Sequence, residues 1–227
     1  PREWVDLGFS EPTLANAYFL ITGSGAYMHN VSASPIENIG IVEMNEAGSA
    51  YRVVWGLMNR KPTSELPTHI MNHAIRMKAT DGACRVIYHA HPNNIIAMTF
   101  VEPLDARTFS RALWKAMTEC VVVFPEGVGV VPWMVPGGNE IAKATSEQMK
   151  SYPAVIWAQH GLFVSGADFD ETFGLMHCIE KAADIYFRAR TMNGGSNEFL
   201  NTITDEGLAQ IGVEFNVDIN KEFLDVQ

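Results

Sequence analysis

A short apolar run ends in two histidines with one residue between them, His89 and His91. The run, residues 86–91, alternates like a β-strand, whose side chains point to opposite faces with a period of two. The two imidazoles therefore point the same way, roughly 6–7 Å apart along the strand, and can converge on one ion. A packed pair of core histidines is the alternative. The metal interpretation needs a third ligand, and hence a fold in which a second strand ends at the same place.

His160 is the candidate third ligand, because it follows the apolar run 154–159 and precedes Gly161, where that strand should end. Three histidines with an open fourth position are typical of catalytic zinc, whereas structural zinc sites close all four positions and are rich in thiolates. The cysteines are widely spaced and odd in number, which indicates free thiols in a reducing cytosol. They are Cys84, Cys120 and Cys178.

Composition excludes several classes of function. The chain has 227 residues, 47% of them hydrophobic and 19% charged, which predicts a globular domain rather than a disordered one. A formal charge of −10 without a Lys/Arg cluster argues against binding to nucleic acid. No apolar stretch reaches the roughly 18 residues of a membrane helix, and no signal-peptide pattern is present, so the prediction is a cytoplasmic protein without a membrane role.

The order of the predicted elements indicates an α/β protein. Strand patterns are expected at 17–21, 39–44, 51–55, 86–91, 120–124, 154–159 and 162–164. Helical patterns are expected at 64–77, 92–100, 106–117, 136–150 and 169–190, with Asp168 as the N-cap of the last. We expect one domain with a central mixed, mostly antiparallel sheet covered by helices.

A carboxylate near the metal is needed for proton transfer, and Glu65 is a candidate at the start of a helix. Thr63 and Ser64 precede it, and their hydroxyls and amides can form a cradle for an oxyanion or a phosphate. An ordinary capping turn explains the same three residues. The turn at residues 22–25, which contains Ser24 and Gly25, is a second possible cradle or a common turn.

Other chemistry-bearing residues give weaker signals. Glu119 precedes a run of valines and is either a carboxylate at a subunit boundary or a solvated strand start. His69 and His73 have helical i, i+4 spacing without the glutamate of the His-Glu-x-x-His pattern, so we assign them to the surface or to the surroundings of the site. Schiff-base chemistry is the rival route to a carbonyl reaction, but no lysine lies at an apolar strand end.

The chain resembles the class II aldolase/adducin family. The resemblance rests first on three short motifs in this order: Thr63-Ser64-Glu65, His89-Ala90-His91 and His160-Gly161. It extends over longer stretches that are similar to a bacterial phosphosugar-cleaving member of the family: residues 22–25, 55–57, 62–67, 118–125 and 130–137. The similarity covers nearly the whole chain.

The resemblance implies a single class II aldolase-like domain over residues 1–227, with a further N-terminal segment in the family before Pro1. It implies reversible cleavage of L-rhamnulose 1-phosphate to dihydroxyacetone phosphate and L-lactaldehyde through a metal-stabilised enediolate. One zinc ion per subunit is expected, held by His89, His91 and His160. A cyclic homotetramer with sites between subunits is also implied.

The resemblance also implies roles for the remaining candidates. Glu65 matches the proton-transfer carboxylate, and Glu119 matches a glutamate that the neighbouring subunit contributes to the aldehyde side of the substrate. The expected phosphate contacts are Ser24, Gly25, Thr63 and Ser64.

Alternatives within the same fold stay open. They are a fuculose-phosphate aldolase, a pentulose-phosphate 4-epimerase and a zinc dehydratase of a methylthio-sugar phosphate, each of which keeps three zinc histidines. A non-catalytic, adducin-like interaction module is the alternative from a different class, and it predicts loss of the ligand histidines. All three are present here.

Overall fold

The computed structural model describes residues 1–226 and shows an α/β protein. The chain divides into two compact units. The first unit comprises Pro1–Ala74 and Val135–Ser146, and the second comprises Ile75–Met134 and Glu147–Gln227. Each unit contains one four-stranded sheet. Within the described residues, no helix combines the length and the apolar character needed to cross a membrane.

The sheet of the first unit is antiparallel throughout. Its strands are β1 (Val5–Asp6), β2 (Tyr18–Thr22), β3 (Ile39–Met44) and β4 (Ala50–Gly56), in the order β1-β4-β3-β2. Alternate residues of β3 are buried, which is the period-two pattern of a strand with one face on a core. The Asn45 side chain accepts hydrogen bonds from the backbone of Ser49 (2.8 Å) and Ala50 (3.2 Å). These bonds close the turn between β3 and β4, which pair as an antiparallel hairpin.

The sheet of the second unit is mixed. Its strands are β5 (Val86–Ala90), β6 (Gly129–Val131), β7 (Ala154–Trp157) and β8 (Gly161–Gly166), in the order β5-β8-β7-β6. Only the β6–β7 pair is parallel. Every residue of β7 and β8 is buried, which is the pattern of central strands that are covered on both faces.

Eight α-helices are found in the described chain. They are α1 (Pro35–Asn38), α2 (Leu66–Ala79), α3 (Asn93–Met98), α4 (Ala106–Ala116), α5 (Glu119–Val123), α6 (Asn139–Met149), α7 (Phe169–Met192) and α8 (Asp205–Glu214). The predicted N-cap of the longest helix is confirmed, since the Asp168 carboxylate accepts a hydrogen bond of 2.8 Å from the backbone of Glu171. The core of the second unit packs α4 and α7 around Phe109, Trp114 and Ile179, which are fully buried.

The α/β class and the mostly antiparallel pairing are confirmed, and three details differ from expectation. The strands form two sheets instead of one central sheet. The predicted strand at 120–124 is wrong, because Glu119–Val123 is a helix whose last turn is closed by a 2.9 Å bond from the Phe124 N–H to the Cys120 carbonyl. A short apolar run does not distinguish a buried strand from a buried helical turn. The three-residue strand β6 was not predicted.

Candidate metal centre and neighbouring groups

Three histidines of the second unit lie together at the ends of strands. His89 is in β5, His91 follows the last residue of that strand, and His160 lies in the turn between β7 and β8. One nitrogen from each imidazole lies within 4.8 Å of the other two. The ring centroids are 5.0 to 5.3 Å apart. The structure therefore brings together the three residues that the sequence singled out.

The pairing of the strands explains this convergence. β5 runs antiparallel to β8, with Ala90 opposite Leu162 at the end of the pair. β8 is reached from β7 by a turn of three residues, 158–160, that is closed by the Trp157–Gly161 pair. His160 therefore lies at the same end of the sheet as His89 and His91.

Contacts with the Leu162 carbonyl and the Phe163 ring orient the His89 side chain. Its Nδ1 lies 3.1 Å from the Leu162 carbonyl oxygen, which can only accept, so Nδ1 carries the proton and donates. The ring also stacks on Phe163, with centroids 4.1 Å apart and planes 13° from parallel. In this tautomer Nε2 is the ring nitrogen that would bind a metal, and a bond from the other nitrogen to a carbonyl is usual for a metal-binding histidine.

His160 has the charge state that a metal ligand needs. Burial lowers its pKa from the ordinary value, and the neighbouring His91 lowers it further. Both effects favour the neutral imidazole, which is the form that can coordinate a metal.

Gly161 allows the histidines to approach each other. A Cβ atom at this position would lie 2.4 Å from the Ala90 carbonyl oxygen, 3.0 Å from His91 Cδ2 and 3.2 Å from His89 Cε1. Any side chain would occupy the space between the two strand ends. A donor set of three imidazoles, with no cysteine in the group found among the described residues, fits a divalent metal such as zinc and is typical of catalytic rather than structural sites.

Glu65 is a buried carboxylate at the entrance to α2, in the first unit. Its Oε2 accepts a hydrogen bond of 3.2 Å from the backbone N–H of Gly137, and the Ser64 hydroxyl lies 3.4 Å from Oε1. The Thr63 hydroxyl oxygen lies 3.4 Å from the Glu65 N–H. These contacts belong to the turn that precedes α2, and they hold both oxygens of the Glu65 carboxylate.

Ser24 and Gly25 lie beside the segment that leads to Thr63. The Ser24 N–H donates to the Lys61 carbonyl (2.9 Å), and the Thr63 N–H donates to the Thr22 carbonyl (2.9 Å). Arg60 reaches over the same turn, and its Nη1 donates to the Ser24 carbonyl at 3.1 Å. The two predicted phosphate-binding segments are therefore neighbours within the first unit, with a guanidinium next to them.

Glu119 is the exposed first residue of α5, in the second unit. It lies at a helix start rather than at the strand start that the valines suggested. His69 and His73 do not belong to a metal-binding group among the described residues. Burial, followed by the proximity of His73, lowers the pKa of His69 to about 3.

Two contacts near the histidines were not predicted from the sequence. The buried Thr99 hydrogen-bonds to Gln159, the residue before His160. The Glu180 carboxylate accepts hydrogen bonds from the backbone of Asn94 and Ile95, shortly after His91. Each contact joins residues that are far apart in sequence, so no local pattern indicates it.

The α/β fold carries a three-histidine group at the ends of strands that could hold a metal ion, and among the described residues no other group of this kind is found. The profile of the Class II Aldolase and Adducin N-terminal domain matches residues 2–187. The chain therefore belongs to the class II aldolase and adducin family.

Individual relatives are similar over most of the chain. The rhamnulose-1-phosphate aldolase of Escherichia coli O1:K1 is 46% identical over 218 residues, which cover 96% of this chain and 78% of that protein. A sugar-phosphate aldolase from Thermotoga maritima has a solved structure that is 30% identical, with a TM-score of 0.72 over 86% of this chain and 80% of that one. The L-fuculose-1-phosphate aldolase of Thermus thermophilus is 22% identical, with a TM-score of 0.57 over 80% and 82%, and supports the fold alone.

Proposed function

We propose that this chain is a zinc-dependent aldolase that reversibly cleaves L-rhamnulose 1-phosphate to dihydroxyacetone phosphate and L-lactaldehyde. The proposal treats residues 1–227 as one class II aldolase-like domain. The three-histidine group is the observation that carries it, because a non-catalytic member of the family has no need of this donor set. Identity of 46% to an aldolase named for this substrate supports the choice of sugar.

His89, His91 and His160 hold the metal in this proposal. When bound, zinc polarises the substrate carbonyl and stabilises the negative charge that develops when the adjacent carbon–carbon bond breaks. The protein contributes the positions of the imidazoles: Leu162 fixes the tautomer of His89, and Gly161 leaves room between the strand ends.

Glu65 moves a proton to or from the carbon that becomes the hydroxymethyl carbon of dihydroxyacetone phosphate. Its support is the fixed, buried carboxylate, with Oε2 held by the Gly137 N–H. A general acid or base must lie at a defined position relative to the reacting carbon, and a fixed side chain avoids the entropy of ordering it during the reaction.

The phosphate is bound by Ser24, Gly25, Thr63 and Ser64 in this proposal. The support is the pairing of the 22–25 turn with the segment before Thr63, which makes the hydroxyl-bearing residues Ser24 and Thr63 parts of neighbouring segments. Phosphate binding far from the breaking bond holds the reacting end of the sugar and contributes binding energy to the reaction.

Glu119 acts on the aldehyde half of the substrate in the site of a neighbouring subunit, within a cyclic homotetramer. The exposure of Glu119 supports this role, since its carboxylate is available to another chain. Phe100 and Trp133 are also exposed, by 69% and 62%, and large aromatic side chains of this kind are enriched in subunit interfaces. Light scattering on the purified protein should give a mass of four chains, and a fully active monomer would contradict the proposal.

A cytoplasmic location is part of the proposal. Its support is the redox state of Cys84, Cys120 and Cys178, which are free thiols in the structure. Free thiols are usual in reducing compartments.

A kinetic assay with three substrates tests the function. Release of dihydroxyacetone phosphate is followed from L-rhamnulose 1-phosphate and L-fuculose 1-phosphate, and epimerisation is followed for a pentulose 5-phosphate. The expected result is the highest kcat/KM for L-rhamnulose 1-phosphate. Higher kcat/KM for L-fuculose 1-phosphate, or epimerisation without cleavage, would replace the proposed substrate or reaction.

Two histidine variants link the reaction to the metal site. His91→Ala should lose both zinc and cleavage. The matched control is His177→Ala, because His177 is exposed on α7 and lies outside the three-histidine group. Zinc retained at full stoichiometry by His91→Ala would contradict the ligand assignment.

A further inference from the structure

Gln159 has an unusual backbone conformation directly before a candidate metal ligand. Its φ angle is +56°, in the left-handed region that residues with a side chain rarely adopt. Such a conformation persists where surrounding contacts hold it, and functional sites are among the places where it clusters. The next residue is His160, so the conformation of Gln159 helps to set the direction in which that imidazole points.

Thr99 is the residue that holds Gln159. The Thr99 hydroxyl oxygen accepts a hydrogen bond of 3.0 Å from the Gln159 backbone N–H. The Gln159 side-chain amide donates to the Thr99 carbonyl at 2.9 Å and lies 3.1 Å from its hydroxyl oxygen. Thr99 is only 4% exposed, and its own hydroxyl donates to the Ile96 carbonyl at 2.6 Å. The contact is therefore buried, and both residues have their polar atoms directed at each other.

Helix α3 connects this contact to a second candidate ligand. The helix begins at Asn93, two residues after His91, and Thr99 is the residue at its C-terminal end. Its first turn is anchored by Glu180 of α7, which accepts bonds of 3.0 Å from the backbone N–H groups of both Asn94 and Ile95. A short, anchored helix thus extends from the residues after His91 to the residue that binds Gln159.

We infer that Thr99 and Gln159 are positioning residues for the metal centre: through α3 they fix where His160 stands relative to His91, and so set the affinity for the metal. The inference rests on the proposed function, since it assigns these residues to the same three-histidine site. Residues that orient metal ligands typically change metal affinity by about 10- to 100-fold when they are replaced.

Zinc affinity of Thr99 variants tests the inference. Thr99→Val keeps the shape of the side chain and removes the hydroxyl, whereas Thr99→Ser keeps the hydroxyl. Dissociation constants are measured by competition with a chromophoric chelator, on the full chain. We expect Thr99→Val to bind zinc at least about tenfold more weakly than the wild type, and Thr99→Ser to stay within about threefold of it.

Two further measurements separate positioning from general stability. The absorption spectrum of the cobalt(II)-substituted protein reports ligand geometry, and we expect it to change in Thr99→Val and not in Thr99→Ser. Thermal unfolding of the metal-free proteins reports the fold alone. A lower Tm for Thr99→Val with an unchanged zinc dissociation constant and cobalt spectrum would overturn the inference.

Gln159→Met tests the same positioning role if Thr99→Val does not fold. Methionine has a similar length and lacks the amide donor, and Gln159 is only partly buried, so the substitution leaves the backbone bond to Thr99 in place. We expect weaker zinc binding in this variant also, and unchanged binding would overturn the inference. If both single variants fold, the double variant should lose less affinity than the product of the two single losses, because the hydrogen bonds belong to one contact.

The proposed function and the inference fail in different ways. A wild-type chain that binds no zinc overturns the proposed function, and the inference falls with it. A wild-type chain that binds zinc, with equal affinity in Thr99→Val and Gln159→Met, overturns the inference alone.

Discussion

Gly161→Ala should damage both the fold and the metal centre. The added Cβ would lie 2.4 Å from the Ala90 carbonyl oxygen and 3.0 Å from His91 Cδ2. The Ala90 carbonyl oxygen is a backbone atom at the end of β5, so it can move away from the added Cβ only if the strand end itself moves. Because the strand end carries His91, the same movement displaces a candidate ligand.

The magnitude follows from this geometry. Inserting one methyl group into a tightly packed position typically costs about 1–3 kcal/mol, and a contact with backbone lies in the upper part of that range. For a chain of this size, each kcal/mol lowers Tm by about 2–4 °C. We also expect the zinc dissociation constant to rise at least about tenfold, as for other changes that misplace a metal ligand. Urea unfolding and chelator competition measure the two effects.

Gly174→Ala is the matched control. Gly174 lies within α7, and a Cβ there would meet nothing within 4 Å. Alanine in an exposed helix position is more stable than glycine by roughly 0.5–1 kcal/mol, so this variant should gain stability and keep its zinc affinity. The same substitution in the same unit thus has opposite expected signs. Gly161→Ala with the stability and zinc affinity of the wild type would refute the reasoning.

Three other predictions use separate residues. Glu65→Gln should lower kcat by about 10²- to 10⁴-fold, the usual contribution of a positioned acid or base, with zinc content unchanged; wild-type kcat would remove Glu65 from the mechanism. His69 has a pKa lowered to about 3 by burial, so it stays neutral in the folded chain while the unfolded chain becomes protonated below about pH 6.5. Because only the unfolded chain binds this proton, the stability that the neutral His69 contributes is present above that pH and is lost as pH falls. Between pH 7 and 5, the free energy of unfolding measured in urea should fall by up to roughly 2 kcal/mol more in the wild type than in His69→Gln, and equal losses would contradict this. Asp205→Ala should cost about 3 kcal/mol in the same assay, because it removes the buried carboxylate that lies 2.7 Å from Arg111 and 2.5 Å from Lys115, and leaves Arg111 with only the exposed Asp225 at 3.1 Å; a loss below about 1 kcal/mol would contradict it.

The sequence predicted the parts of the site that follow from local periodicity. Two histidines at i and i+2 belong on one face of a strand, and β5 places His89 accordingly, with His91 one residue beyond its end. The apolar run before His160 became β7, and its end meets the end of β5 through β8. Local patterns of this kind are decided by residues within a few positions of each other, which the sequence displays directly.

Other features depend on tertiary contacts that no local pattern encodes. Residues 120–124 read as a strand because of their valines, yet Glu119–Val123 is a helix, and Cys120 and Val121 of that helix are buried in the core. The division of the strands into two sheets depends on pairings between distant segments, such as β5 with β8. The contact between Thr99 and Gln159 joins two polar residues 60 positions apart, and neither belongs to a recognisable motif.

Zinc titration of the metal-free protein tests the central claim most directly. The protein is stripped of metal and zinc is added back, while bound zinc per chain and the rate of L-rhamnulose 1-phosphate cleavage are measured in the same samples. The account predicts no cleavage without metal and a rate that rises in proportion to bound zinc until one ion per chain is reached. Full cleavage by the metal-free chain, or zinc bound at one per chain without any cleavage, would contradict it.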